Sequence, residues 1–310
     1  MKFKFWGVRG SIPTPGPKTV KYGGNTTSIE VRTASNELLI LDAGTGIFAL
    51  AQTLLSQSPL EAHILITHTH WDHIQGLPFF LPLLMANNHI HIYGGLDPVT
   101  QQGIERALAV QLQYSYFPIS PVQLKAKVHY HTLLPGEAVE IGGVKVTPIV
   151  LNHPVLNFGY RLEDTDGSAL FFTGDYEMPQ NPYQPDDMDY ASNQQFIDDK
   201  LQEVLAVMQG VDALIVDSSY TDAEYEKKVG WGHSTYTAAL SLAMQAKAKR
   251  LFFTHHEPTR SDSELDEIYL ALMNHAAEVD FEVYMAQEGL EIQLGSSDTT
   301  GLNSNHSSSI

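Results

Sequence analysis

Short apolar or alternating stretches separated by turn residues dominate the first half of the chain. They predict strands at 3–8, 28–33, 38–42, 63–66, 90–93, 126–131, 138–141, 144–150, 157–163 and 168–172. A helix is predicted over 46–56, after the glycines of LDAGTG. In the second half the period lengthens. Helices at 191–208, 235–247 and 261–276 alternate with strands at 212–216 and 250–254, and strands at 281–285 and 290–293 close the series. An α+β four-layer αββα sandwich, two mixed sheets face to face with helices outside, accommodates this order. No linker or repeat divides the chain, so 1–294 reads as one domain. From 295 onward GSSDTTGLNSNHSSSI has almost nothing to bury and reads as a disordered tail.

Composition narrows the function classes. With 310 residues and 43% apolar content, a sizeable core can form. No run approaches the roughly 18 apolar residues of a membrane span. The first residues, MKFKFWGVRGSIP, alternate like a strand rather than a signal peptide, which favours a cytoplasmic location. Cysteine is absent, which excludes disulfides, thiolate nucleophiles and cysteine-rich zinc sites. Acids outnumber bases 36 to 18, for a net charge of −18, and no dense basic patch is visible. Such a surface repels polyanions, so long nucleic acid is not the expected partner.

The candidate chemistry sits in THTHWDH, where His68, His70, Asp72 and His73 follow the apolar run AHILI. A tight turn after a strand can aim these groups at one point, and imidazole with carboxylate suits zinc, manganese or iron. Four such groups exceed the needs of one catalytic ion with an open position, which suggests two. Further donors stand at later strand ends: His153 in VTPIVLNHP, Asp175 in ALFFTGD, and His255 and His256 in RLFFTHHEP. A single histidine after a strand is more often structural, but here the positions recur together.

The series LDAGTG, THTHWDH, LNHP, FTGD and FTHH resembles the metallo-β-lactamase-fold superfamily from Phe3 to Leu294. The resemblance implies that His68, His70 and His153 hold one metal. Asp72, His73 and His255 would hold the second, and Asp175 would bridge both, with His256 as the alternative to His255. VDSSY and GWGHST are similar to the phosphodiesterase branch that includes tRNase Z, which implies a catalytic pair of His233 and Asp217. A cationic histidine held by a carboxylate can protonate a leaving alkoxide. The segment GVRGSIPTPGPKTVKYGGNTTSIEV resembles a bacterial subgroup of these hydrolases. Arg9, Ser11 and Asn25 within it are candidates for binding a phosphate or sugar oxygen, against a plain turn-rich hairpin. Asp42 reads as an acid orienting a metal ligand. The aromatic residues Tyr114, Tyr116 and Phe117 line a pocket, a homodimer interface or simply the core.

The expected activity is hydrolysis of small phosphodiesters or cyclic nucleotides by a hydroxide bridging two divalent ions, zinc by default and manganese as rival, with Asp72 and Asp175 at the centre. A tRNase Z-like endoribonuclease would use the same centre but needs a basic arm to grip tRNA, and the loop at 177–192 is acidic. A lactonase, thioester or β-lactam hydrolase would have no use for the His233–Asp217 pair. A flavo-diiron protein usually carries glutamate where this chain has His70. A non-catalytic metal-binding protein is the alternative outside enzymology.

Overall fold

The computed structural model describes residues 1–275 and 279–295, and the tail expected from 295 lies, apart from Gly295, outside them. In chain order the first half carries β1 (Lys2–Gly7), β2 (Ser28–Arg32), β3 (Leu38–Leu41), α1 (Gly46–Leu54), β4 (Glu61–Leu65), α2 (Trp71–Ile74), β5 (His89–Gly94), α3 (Glu105–Gln111) and β6 (Lys127–Thr132). There follow β7 (Val139–Ile141), β8 (Val144–Leu151), β9 (Asn157–Glu163), β10 (Ala169–Phe172), α4 (Tyr190–Met208), β11 (Ala213–Asp217), α5 (Asp222–Tyr225), α6 (Tyr236–Ala246), β12 (Arg250–Thr254), α7 (Asp262–His275), β13 (Glu282–Met285) and β14 (Glu291–Gln293).

Two seven-stranded sheets have the orders β14-β1-β2-β3-β4-β5-β6 and β13-β12-β11-β10-β9-β8-β7. Each is mixed. β3 to β6 run parallel, as do β10 to β13, while the remaining neighbours are antiparallel. The expected αββα sandwich is the fold observed.

The residue pattern explains the layers. Phe3, Phe5, Val31, Leu39, Val146, Tyr160, Phe172 and Phe252 fill the space between the sheets. The alternate residues of β3 and β4, Leu38, Ile40, Ala62 and Ile64, face outward under α1 and α3. Leu214, Val216, Leu251 and Phe253 do the same beneath α4, α6 and α7. These central parallel strands are buried on both faces, which is why they read as continuous apolar runs rather than alternation. Full burial of such a side chain is worth about 1.5–3 kcal/mol.

This layering fixes where polar groups can gather. Loops leaving the carboxyl ends of strands in the two facing sheets meet at one edge of the sandwich, a crevice where α/β sheets commonly place their sites. Asp42, His68, His153, Asp175, Asp217 and His255 each stand within three residues of such a strand end. Among the described residues, no helix is long and apolar enough to cross a membrane.

Candidate metal centre

Three overlapping sets of donor atoms converge, every atom of a set within 4.8 Å of the others: His68, His70, His153 and Asp175; Asp72, His73, Asp175 and His255; and Asp175, Asp217, His233 and His255. Asp175 belongs to all three. Its Oδ2 lies 3.5 Å from His68 Nε2 and 3.8 Å from His153 Nε2, whereas Oδ1 lies 3.0 Å from His73 Nε2 and 3.1 Å from His255 Nε2. One carboxylate thus presents an oxygen to each half of the cluster. His70 Nδ1 is 3.1 Å from His153 Nε2, and Asp72 Oδ2 is 3.2 Å from His255 Nε2 and 3.4 Å from His73 Nε2. These spacings approximate the edge of a tetrahedron with 2.0 Å bonds, about 3.3 Å.

The rings are aimed from behind. His73 Nδ1 meets Asp42 Oδ2 at 2.7 Å, and Asp42 also accepts from the Thr67 amide at 2.7 Å. The Thr67 hydroxyl is 3.1 Å from His68 Nδ1. His153 Nδ1 donates to the Gly232 carbonyl at 2.9 Å, and His255 Nδ1 meets Ser219 Oγ at 3.0 Å. The backbone amide of Ser11 donates to Asp72 Oδ2 at 2.7 Å. With one nitrogen of each ring committed outward, the other is left facing the centre. Backbone strain accompanies this aiming. Ser11, Asp42 and His255 all have positive φ, between 58° and 59°, a region non-glycine residues avoid outside constrained sites. Gly10 is required for packing, because a Cβ there would sit 2.2 Å from the His255 ring.

Does the donor set fit a metal? His68 Nε2, His73 Nε2 and Asp175 Oδ1 are buried without a hydrogen-bond partner, a costly arrangement unless a cation satisfies them. The carboxylates draw positive charge to the cluster: despite burial, Asp175 and its neighbours raise His73 well above its usual value and raise His255 as well. Burial opposes the Asp175 charge, but His255, His73 and His68 hold its carboxyl well below the usual range. Burial likewise opposes Asp72, which His73 and His255 nevertheless keep ionised. His68 is pushed well below its usual value by burial and by His73, so it is a neutral donor. His and Asp groups here can hold metal ions, and the donors are all nitrogen and oxygen.

Beside the cluster, His233 Nδ1 is 2.8 Å from Asp217 Oδ2. Burial depresses His233, but Asp217 outweighs it and lifts the imidazole to about 9. The His233 ring stacks on that of His255, centroids 4.7 Å apart.

Other expected residues lie elsewhere. Arg9 is fully buried, and its guanidinium donates to the carbonyls of Gly23 at 2.8 Å and Arg260 at 2.7 Å. Asn25 binds the Glu288 carboxylate through both its amide and its side chain. His256 turns away from the cluster, its Nε2 donating to the Ala286 carbonyl at 2.8 Å. These three fasten the N-terminal loop and the end of β12 and are not brought into the cluster. Ser11 reaches the cluster by its backbone. Tyr114 and Tyr116 are 91% and 70% exposed, so neither is core, whereas Phe117 is half-buried against Phe79. Sequence reasoning missed Thr67, Ser219 and Glu177. Of these, Thr67 opens THTHWDH and Ser219 lies in VDSSY, both motifs singled out for their chemistry, whereas Glu177 lies in neither.

A family model described as the beta-lactamase superfamily domain matches residues 38–256, more than half of the chain. The chain belongs to the beta-lactamase superfamily. It is 29% identical over 292 residues to a ribonuclease Z of Acaryochloris marina, covering 83% of this chain and 86% of the relative. Among solved structures, the metallo-β-lactamase fold protein YhfI from Bacillus subtilis superposes with a TM-score of 0.62 at 18% identity, covering 94% of this chain and 98% of that one. The short form of human tRNase Z gives a TM-score of 0.62 at 22% identity, with 95% and 99% covered. The superfamily's metallo-β-lactamase fold is therefore the fold of this chain.

Proposed function

We propose that this superfamily member is a phosphodiester hydrolase acting on small phosphodiesters, with His233 as proton donor and Asp217 orienting it. The observation that carries this reading is the 2.8 Å His233–Asp217 contact beside the donor cluster. An alkoxide leaving from phosphorus must be neutralised, and a cationic imidazole held by a carboxylate can supply that proton.

Within this reading His68, His70, His153 and Asp175 hold one ion, and Asp72, His73, His255 and Asp175 hold the second. Two bound divalent ions, zinc or manganese, supply polarisation of the phosphoryl oxygens and acidification of water. The chain's own groups do the rest. Asp42, Thr67, Ser219 and the Gly232 carbonyl fix the ligand rings. Asp217 occupies Nδ1 of His233, so the proton is delivered from Nε2.

The name of the ribonuclease Z relative favours a second reading, cleavage of precursor tRNA. Against it, no lysine or arginine occurs between Arg161 and Lys200, the stretch that carries the acidic loop.

A panel of bis(p-nitrophenyl) phosphate, cyclic nucleotides, short oligonucleotides, lactones and β-lactams, run with zinc and with manganese, tests the reading. Diesters should be turned over and the carbonyl substrates not. Turnover confined to lactones or β-lactams sinks it.

A further inference from the structure

The mouth of the site carries a feature that the metal chemistry does not use. Of the three tryptophans, Trp6 is half-buried with its Nε1 donating to Glu30 at 2.9 Å, but Trp231 and Trp71 are 59% and 69% exposed. Trp71 follows His70, and Trp231 precedes Gly232, whose carbonyl accepts from His153. Indoles left in water forgo hydrophobic burial, so two beside one site need a reason.

Trp231 is not exposed because its loop is slack. The buried Glu177 carboxylate accepts from the amides of Gly230 and Gly232, both at 2.7 Å, and from the Tyr225 hydroxyl at 2.7 Å. The backbone is thus clamped on either side of the indole. The Lys228 ammonium lies 4.4 Å from the centre of the Trp231 ring and 4.9 Å from that of Tyr220. Tyr220 in turn meets His233 edge-on at 6.0 Å. Lys228 lies over the indole, which nevertheless remains 59% exposed. Two residues span at most about 7 Å of chain, so Trp231 stands within a nucleoside's reach of His233. The ammonium also sets a cation at the mouth of a chain with net charge −18.

We propose that the exposed indole of Trp231 is a stacking platform for a planar base, so that the substrate is a nucleotide phosphodiester rather than a simple alkyl or lipid one. The proposal rests on the phosphodiester reading for its substrate class. Stacking tolerates any base, because each has a π-face.

Two measurements test it. In the metal-loaded W71F protein, intrinsic fluorescence is titrated with AMP and with ribose 5-phosphate. AMP should quench saturably, ribose 5-phosphate should not, and W71F/W231F should lose the response. Second, the ratio of kcat/KM for thymidine 5′-p-nitrophenyl phosphate to that for methyl p-nitrophenyl phosphate is compared across variants. Both release p-nitrophenol, so the ratio isolates the nucleoside. Trp231→Ala should lower it about 5- to 150-fold, while Trp231→Phe keeps most of it. An unmoved ratio, or equal quenching by both phosphates, overturns the platform even if both diesters are cleaved. If the wild type cleaves neither diester, the phosphodiester reading has failed, and the AMP comparison alone decides the platform.

Discussion

Asp42 touches no substrate, yet its carboxylate fixes the His73 ring at 2.7 Å and the Thr67 amide behind His68. Removing such an orienting partner typically costs 10- to 100-fold in metal affinity. Asp42→Ala should therefore weaken binding by about that factor in a competition titration with a chromogenic chelator, and unchanged affinity would remove it from the site. His233 calls for a different variant set. Its imidazole is raised to about 9, so it stays protonated, and able to donate, up to that pH. An NMR titration of the metal-free protein should accordingly place the His233 transition near pH 9, and Asp217→Asn, which removes the dominant raising charge, should move it downward. His233→Ala should cost about 10²- to 10⁴-fold for alkoxide leaving groups and far less for p-nitrophenolate, with metal content intact. Equal loss across a leaving-group series would make it structural. At this scale the sequence was most informative where donors crowd together, as in THTHWDH, or recur at strand ends. It was silent on destination. Arg9 and Asn25 sat in a turn-rich segment that suggested ligand contact, but each is tied to a partner more than 200 residues away, Arg9 to Arg260 and Asn25 to Glu288. Nor did histidine count alone locate the centre: His63, His91 and His129 stack across β4, β5 and β6, apart from it.

Elements were legible where period and burial agree. The apolar runs of β3, β11 and β12 and the long pattern of α4 stand within a residue or so of their expected places. α3 was missed because its packing rests mainly on Ile104, Leu108 and Leu112, with no capping side chain to mark its start. Sheet order was hidden too. β1 pairs with β14, Phe3 opposite Ile292, a contact no local pattern contains. The end of β12 shows how an element's position depends on one buried ring. His256 exchanges backbone hydrogen bonds with the N-terminal loop, through Val8 and Gly10, and its Nε2 holds Ala286 just past β13. Burial pushes this imidazole down to about 3, so the unfolded chain binds a proton that the folded one refuses between pH 6.5 and 3. Its contribution is intact above pH 6.5 and declines as pH falls, by about 2 kcal/mol at pH 5. His256→Gln should flatten the pH dependence of urea unfolding between pH 6.5 and 5, compared with the parent. An identical slope would show that the ring is not what titrates.

For the whole molecule, charge and fold pull toward different substrates. The name of the ribonuclease Z relative points to a large RNA substrate, and on the proposed reading the donor cluster would act on any phosphodiester that reaches it. Access is the issue. A net charge of −18 raises the local potential against a polyanion, and gripping RNA requires lysines and arginines arranged to replace its counterions. The loop after β10, from Glu177 to Ser192, is exposed over most of its length and carries only acidic charge. Lys228 beside Trp231 offers a cation suited to a mononucleotide or dinucleotide, whereas gripping a tRNA takes many. Each phosphate contact steepens the fall of affinity with salt by nearly one logarithmic unit per tenfold change. Between 50 and 200 mM salt, kcat/KM for a small diester should change by no more than about fourfold, and precursor tRNA should be a far poorer substrate at both concentrations. Efficient trimming of tRNA 3′ ends at 200 mM salt would mean that affinity comes from shape and stacking rather than charge, and the argument from net charge would fall with it.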